Sequence, residues 1–516
     1  MDTAEEFLKQ KHLFQLGDLP TETPHPKTTQ LSDWATQDID RALATLRRVD
    51  LEALEKIARM RAELTPFFKS VSETLSAGNR VFLSGCGATG RLSLSLEYLW
   101  RRKNPGSDQV VGFMAGGDVA LVHSLEGFED FPDYGARHLM ELGFTENDLL
   151  VASTEGGETP YVIGTVEKAA EVSKRKPIFL YCNSTKILQE KVDRSRRVLS
   201  HPKIDSYCLE TGPMALTGST RMQASTVLML AIGLALEFGA DTAKVFAELD
   251  RWIEYLRSVP ILKLKDFIVA ESATYQAGNH TIYSVTDYAI TAFTDTTERA
   301  PTFNLGPFDN PKHLTDKHSL SYIMIPTAAT SEEAWRTLLA RAPRPLNWPE
   351  AHAKATPEYL MSFDFGLQAK DFRQTILPKS KHEVFAIEGF GPTVQFRFQG
   401  IEERFPLPGS VPLFDHLTLK LWLNMHSTLV MGRLGRFEGN LMTWVFPSNG
   451  KLIDRAARYS QILMRKMGLP ESPYDDVIRA QFRAKAGLNP KESIVHRTIQ
   501  ELMRGQSQHS GVFAPR

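Results

Sequence analysis

The chain has 516 residues, with 60 Lys and Arg against 61 Asp and Glu and a formal net charge of −1. That length provides for roughly two to four domains, and the near-neutral balance argues against a protein that neutralises nucleic acid or a membrane surface. Three cysteines, Cys86, Cys182 and Cys208, are too few and too scattered for a disulfide framework, and no C-x-x-C or H-E-x-x-H motif points to a metal.

The acidic start MDTAEEFLKQ lacks the apolar stretch of a secretory signal. The longest apolar run, Val227 to Leu236, is shorter than the roughly 20 residues that cross a bilayer. A reduced, cytoplasmic chain without cofactor or metal is expected.

Residues 1–30 are polar and rich in Pro and Thr and read as an extended arm. Two amphipathic helices follow. The first is capped by Ser32 or Asp33, and the second runs from about Leu51 to Leu75 with Gly78 as its stop. From Val81 the pattern becomes short apolar strands alternating with helices: Val81 to Ser84, Gln109 to Met114, Asp148 to Ser153 and Pro177 to Cys182. Continuous apolar strands separated by helices predict a parallel sheet covered on both faces. A long apolar helix, Thr220 to Glu237, closes this unit.

After Pro260 a second round begins with a helix and the strand Thr281 to Val285. Further strands are expected at Tyr322 to Ile325 and Leu360 to Phe365, then an antiparallel excursion from Glu383 to Phe405. The helix Asp415 to Leu434 repeats the closing helix of the first round, which reads as a diverged internal duplication. The chain divides as arm and helix (1–50), first α/β domain (51–258), second α/β domain (259–455) and a helical tail (456–516).

Chemistry concentrates in the turns. Gly85-Cys86-Gly87-Ala88-Thr89-Gly90 follows a strand and opens a helix, and formally matches the G-x-G-x-x-G dinucleotide fingerprint. That reading also needs an acid at the end of the second strand, and the nearest, Asp118, comes late. The competing reading is a phosphate cradle built from backbone amides at a helix N-terminus and the Thr89 hydroxyl. A second turn, Ser153-Thr154-Glu155-Gly156-Gly157-Glu158-Thr159-Pro160, again joins strand to helix. Turns on adjacent parallel strands converge at the edge where open α/β sheets bind ligands. The Thr89, Thr154 and Thr159 hydroxyls and the helix N-terminal amides are therefore candidate ligands of one phosphate, and Glu155 and Glu158 are expected to point away from it. Ser219 or Thr220 opens the closing helix as a cap or a ligand-facing hydroxyl. His313 and His318 form a pair that reads as a solvated loop.

These segments together resemble the sugar isomerase (SIS) domain, and more narrowly the family shared by bacterial N-acetylmuramic acid 6-phosphate etherases and the glucokinase regulatory protein. The resemblance is carried by G-C-G-A-T-G-R (Gly85 to Arg91), A-G-G-D (Ala115 to Asp118), E-G-F-E-D (Glu126 to Asp130), T-P-Y-V (Thr159 to Val162) and L-T-G-S-T-R-M (Leu216 to Met222). In the second half it is carried by D-T-T-E-R-A-P-T-F (Asp295 to Phe303), G-N-L-M (Gly439 to Met442) and N-G-K-L (Asn449 to Leu452). It implies two tandem SIS domains, each a flavodoxin-like parallel-sheet α/β sandwich, packed as a pseudo-dimer within one chain. The glycine turns survive in the first copy and the D-x-x-E segment in the second, so one composite site per chain is implied. The second-copy turn Thr286-Asp287-Tyr288 has no glycine, and Leu99 falls where the etherase pattern has its Glu.

By resemblance, Gly87, Ala88 and Gly156 join the phosphate ligands, Glu129 and Glu298 match the two functional carboxylates, Ser219 and Thr220 bind phosphate or sugar hydroxyls, and Lys451 reaches the ligand from the other half. The expected ligand is a hexose or amino-sugar 6-phosphate, held by a sensor or regulator or processed by an enzyme. The enzyme alternatives are a lyase that eliminates lactate from N-acetylmuramic acid 6-phosphate and an aldose–ketose isomerase; a sugar kinase is a candidate partner and a nicotinamide enzyme ranks last. The family often has Glu where this chain has Met214, Lys at Gln223 and Ser at Gly156. These departures favour ligand sensing or an altered substrate.

Overall fold

A computed structural model describes residues 3–510 apart from Gln15, Glu126 and Pro490. The first half forms β1 (Val81–Gly85), β2 (Val110–Met114), β3 (Leu149–Thr154), β4 (Ile178–Tyr181) and β5 (Asp205–Cys208), in the order β2-β1-β3-β4-β5. Every pairing is parallel. The strands β1 to β4 are buried throughout, which is why they read as unbroken apolar runs rather than alternating ones. The edge strand β5 was not expected, because Asp-Ser-Tyr-Cys is only half-buried and carries no apolar run.

The second half repeats the centre of this plan with β6 (His280–Val285), β7 (Ser321–Met324), β8 (His382–Phe390), β9 (Thr393–Phe398) and β10 (Ile401–Pro406). Its order is β10-β9-β8-β6-β7, so β7-β6-β8 mirrors β2-β1-β3. Both pairings of β6 are parallel, while β8-β9 and β9-β10 are antiparallel, the excursion expected from 383–405. The chain is thus an α/β protein of two tandem sheets whose units pack against each other through their helices, as a pseudo-dimer. The helices Gln223–Phe238 and Pro412–Arg433 close the two units. They meet so closely that a Cβ on Gly233 would lie 2.5 Å from Leu413 Cδ1. A second seam is ionic: Arg341 Nη1 donates to Asp118 Oδ2 (2.5 Å) and Arg344 Nη2 to Glu97 Oε1 (2.6 Å).

Three expectations are corrected. The described part of residues 1–30 is not an extended arm: Thr3 and Glu6 form a capping box on the helix Ala4–Gln10, and Phe7, Leu16 and Leu19 are buried. The helical stretch after it breaks into Leu31–Gln37, Ile39–Arg59 and Arg61–Ser76, and Asp38, not Ser32 or Asp33, is the side-chain cap. Residues 360–365 are not a strand, because Thr356 and Pro357 start a short helix, Pro357–Met361. The tail is helical, with Gly450–Lys466, Tyr474–Ala486 and Ile494–Ser510. The helices Ile39–Arg59 and Gly450–Lys466 run across residues 50 and 455, so those two divisions fall inside helices.

Candidate functional site

The strand order reverses at β1, which has β2 on one side and β3 on the other, so the turns after β1 and β3 lie side by side. The first turn needs its glycines. A Cβ on Gly85 would meet the Thr89 carbonyl at 2.3 Å, and Gly87 has φ +56°. The Thr89 hydroxyl accepts from the Cys86 amide and donates to the Cys86 carbonyl, both at 2.9 Å. It therefore staples the turn into which the helix Ala88–Lys103 opens.

In the second turn the Thr154 and Thr159 hydroxyls are 2.9 Å apart. Gly157 has φ +79°, and the Gly156 carbonyl accepts from Asn183 Nδ2 at 3.0 Å. Asn183 also accepts from the Thr21 amide, which ties the N-terminal segment to this turn. In the third segment neither Ser219 nor Thr220 caps the closing helix, which starts at Gln223 with Met222 as its N-cap residue. Ser219 Oγ is instead buried without a hydrogen-bond partner among the described residues.

The second half and tail reach over these turns. Glu129 Oε1 accepts from Asn449 Nδ2 (2.7 Å), and its other oxygen lies 3.5 Å from Cys86 Sγ. Lys451 Nζ donates to Glu158 Oε1 at 2.8 Å, and Arg194 Nη2 to Glu158 Oε2 at 2.5 Å. Burial disfavours the Glu158 charge, but Lys451 and Arg194 outweigh it and bring the pKa down to about 2. Glu129, Glu158, Arg194 and Lys451 line a cleft of about 320 Å³ with Asp130 and Thr159, which Gln10, Leu13 and Phe14 also line. Burial, with Glu129 beside it, raises Asp130 to about 6.

Glu298, on the helix Ala289–Phe303, lines a narrow crevice with Ala88, Arg91 and Lys420 on the other flank of the first turn. Burial raises its pKa against the pull of Arg91, Lys420 and Arg221. Glu155 joins the two flanks: Lys451, Glu298 and Lys420 all act on its ionisation. Burial raises it to about 7, and its Oε1 has no hydrogen-bond partner among the described residues. The expectation that Glu155 and Glu158 point away is therefore corrected. Glu158 is neutralised by two cations, and Glu155 is enclosed among the site's own groups.

The structure thus brings Gly87, Ala88, Thr89, Thr154, Gly156, Thr159, Glu129, Glu298 and Lys451 to one region around the two turns. Glu126, which opens the E-G-F-E-D segment, lies outside the described residues. Sequence reasoning missed Lys420, whose Nζ donates to the Arg221 carbonyl, Thr226 Oγ1 and Asn424 Oδ1 at 2.8–3.0 Å. Its signal was a single cation inside the apolar run Leu-Thr-Leu-Lys-Leu-Trp-Leu. Burial lowers its pKa to about 8. Arg221 was also missed; it is buried and bridges to Asp295 Oδ1 (3.0 Å) of the D-T-T-E segment.

Other candidates fall elsewhere. Asp118 is bound to Arg341 and to the Arg344 amide, which leaves the dinucleotide reading without its ribose acid. His313 packs on the Tyr359 ring while His318 bonds Asp309, so they form no pair. In the second-half turn Thr286 Oγ1 bonds Asp287 Oδ2 (3.2 Å), an acid in place of a glycine cradle.

Residues 63–170 match the family described as the glucokinase regulatory protein N-terminal SIS domain. The N-acetylmuramic acid 6-phosphate etherase of Synechocystis sp. is 32% identical over 224 residues, 43% of this chain and 68% of the relative. The same enzyme of Aeromonas hydrophila is 28% identical over 277 residues, 51% of this chain and 88% of the relative. That of Streptomyces coelicolor is 31% identical over 221 residues, 43% of this chain and 66% of the relative. Among solved structures, the tagatose-6-phosphate ketose/aldose isomerase from Escherichia coli aligns at 13% identity and a TM-score of 0.43, over 81% of this chain and 97% of that one.

Proposed function

Because this chain belongs to the SIS-domain family that holds the N-acetylmuramic acid 6-phosphate etherases and the glucokinase regulatory protein, we propose that it binds a hexose or amino-sugar 6-phosphate at one composite site between its two lobes. The observation that carries this reading is the meeting of the second glycine-bearing turn with Glu129 and Lys451 around a cleft of about 320 Å³, with Cys86 of the first turn 3.5 Å from the Glu129 carboxylate. Amides at the starts of the helices Ala88–Lys103 and Pro160–Val172 attract the phosphate. The unpartnered Ser219 hydroxyl is a further donor to the ligand. Glu129, beside Cys86, and Glu298, beside Ala88, both border the first turn and would address the sugar carbons. The mirror-image turn at Thr286–Tyr288 has no cradle, which supports one site per chain.

A thermal-shift panel of hexose and hexosamine phosphates tests the reading. Stabilisation by a 6-phosphate but not by the parent sugar is expected. Stabilisation by nicotinamide cofactors alone would overturn it.

A second reading, an etherase-type lyase, is favoured by Glu298, a buried carboxyl beside the first turn whose pKa burial raises, the direction a general acid requires. One carboxylate removes the C2 proton, the C3–oxygen bond breaks, and the other carboxyl protonates the departing lactate oxygen. Release of D-lactate from N-acetylmuramic acid 6-phosphate separates this lyase from a sensor. In the sensor case the bound sugar phosphate would control docking of a sugar kinase, measured by kinase capture with and without fructose phosphates.

A further inference from the structure

Of the two acids in the second turn, Glu158 is bonded by two cations, whereas Glu155 makes no ion pair among the described residues. It follows Thr154 at the end of β3, is 8% exposed, and its Oε1 has no hydrogen-bond partner among the described residues. Five titratable groups face it from five elements. They are Cys86 in the first turn, Cys182 after β4, Glu298 on the helix Ala289–Phe303, Lys420 on Pro412–Arg433 and Lys451 on Gly450–Lys466. The two cations are already engaged: Lys451 bonds Glu158, and Lys420 bonds three oxygens of its own surroundings. An ionised carboxylate in this spot and a phosphate dianion in the same turns would repel each other in a region from which water is largely excluded.

We propose that Glu155 determines the charge of the ligand the site accepts, so that a sugar phosphate binds together with one proton and a monoanionic headgroup is preferred over a dianionic one. This rests on the reading that the two turns hold a sugar phosphate. The proton has a natural acceptor, since burial places the Glu155 pKa at about 7. Above that pH the carboxyl must take up a proton before a dianion can enter. The apparent Kd then rises toward tenfold per pH unit.

Isothermal titration of the full chain with N-acetylglucosamine 6-phosphate and N-acetylglucosamine 6-sulfate, at pH about 6.5, 7.5 and 8.5 in buffers of different ionisation enthalpy, tests this. The sulfate ester is monoanionic throughout. For the phosphate ester we expect close to one proton taken up at the highest pH and roughly a tenfold weakening between the two higher pH values. The sulfate ester should weaken less. Glu155→Gln should abolish the extra proton, flatten the dependence and reverse the preference in favour of the phosphate ester. Glu155→Ala, with the same flattening, guards against a special effect of the amide. If the wild type binds with no proton uptake and Glu155→Gln has the same pH slope, the proposal fails while the sugar-phosphate reading stands. If neither ester binds wild type or variant at any pH, the sugar-phosphate reading fails and this proposal falls with it.

Discussion

Lys451 and Glu158 lie 293 positions apart in the chain, yet Lys451 Nζ bonds Glu158 Oε1 at 2.8 Å. The pair ties the second turn of the first lobe to the helix that follows the second. Burial works against the Lys451 charge, but Glu158 and Glu22 hold its pKa above the ordinary value. Glu22 is itself bonded by Arg455 and Arg458, so the N-terminal segment, the turn and the tail share one ionic network.

Lys451→Met should remove ligand-induced thermal stabilisation while the chain remains folded. Glu158 keeps Arg194, so the loss in stability should be that of one charged hydrogen bond, about 1.5–3 kcal/mol. Urea unfolding and the ligand-shift assay read the two effects separately. Undiminished ligand stabilisation in the variant would remove Lys451 from the site.

Glu298→Gln separates binding from chemistry. Stabilisation by N-acetylmuramic acid 6-phosphate should persist, and any D-lactate release shown by the wild type should fall at least about a hundredfold, the lower range for loss of a general acid or base. A variant that releases lactate at the wild-type rate would exclude Glu298 from the reaction.

Asp50 supplies a test of the buried acids. It accepts a 2.5 Å hydrogen bond from Gln223 Nε2, and burial raises its pKa from 3.8 to about 7. With the folded pKa above the unfolded one, its stabilising contribution is complete below about pH 3.8 and is lost as pH rises through 7. Wild-type stability relative to Asp50→Asn should therefore fall by about 1.4 kcal/mol per pH unit between roughly pH 5 and 7, then level off. The buried histidines contribute to both proteins and cancel in the difference. Parallel pH profiles in urea unfolding would contradict the shift.

The seam between lobes gives the largest stability effect. Arg341 bonds both Glu97 (3.0 Å) and Asp118 (2.5 Å), and all three side chains are buried. Arg341→Met leaves Glu97 to Arg344 and Arg101 and the buried Asp118 to the Arg344 amide, and should cost about 3–5 kcal/mol. Arg341→Lys should recover only part of this, because an ammonium cannot bridge both acids in the plane of a guanidinium. A variant as stable as wild type in denaturant would show the seam to be energetically idle.

The amino-acid sequence by itself determined the local features of the site. The apolar runs of β1, β3 and β4 can only be buried on both faces, and Gly87 and Gly157 mark backbone that must take positive φ. Parallel neighbours of that kind bring their following turns to one edge, so the two turns were legible before any coordinates. Leu360 to Phe365 misled because a short apolar run does not distinguish a strand from a helix that Thr356 and Pro357 start. Only the tertiary structure decided which charges meet. Glu158 and Lys451, Asp118 and Arg341, and Glu155 with its enclosed carboxyl owe their states to partners hundreds of residues away and to the exclusion of water. Coulomb energy depends on distance and dielectric in space, and neither is written in sequence separation.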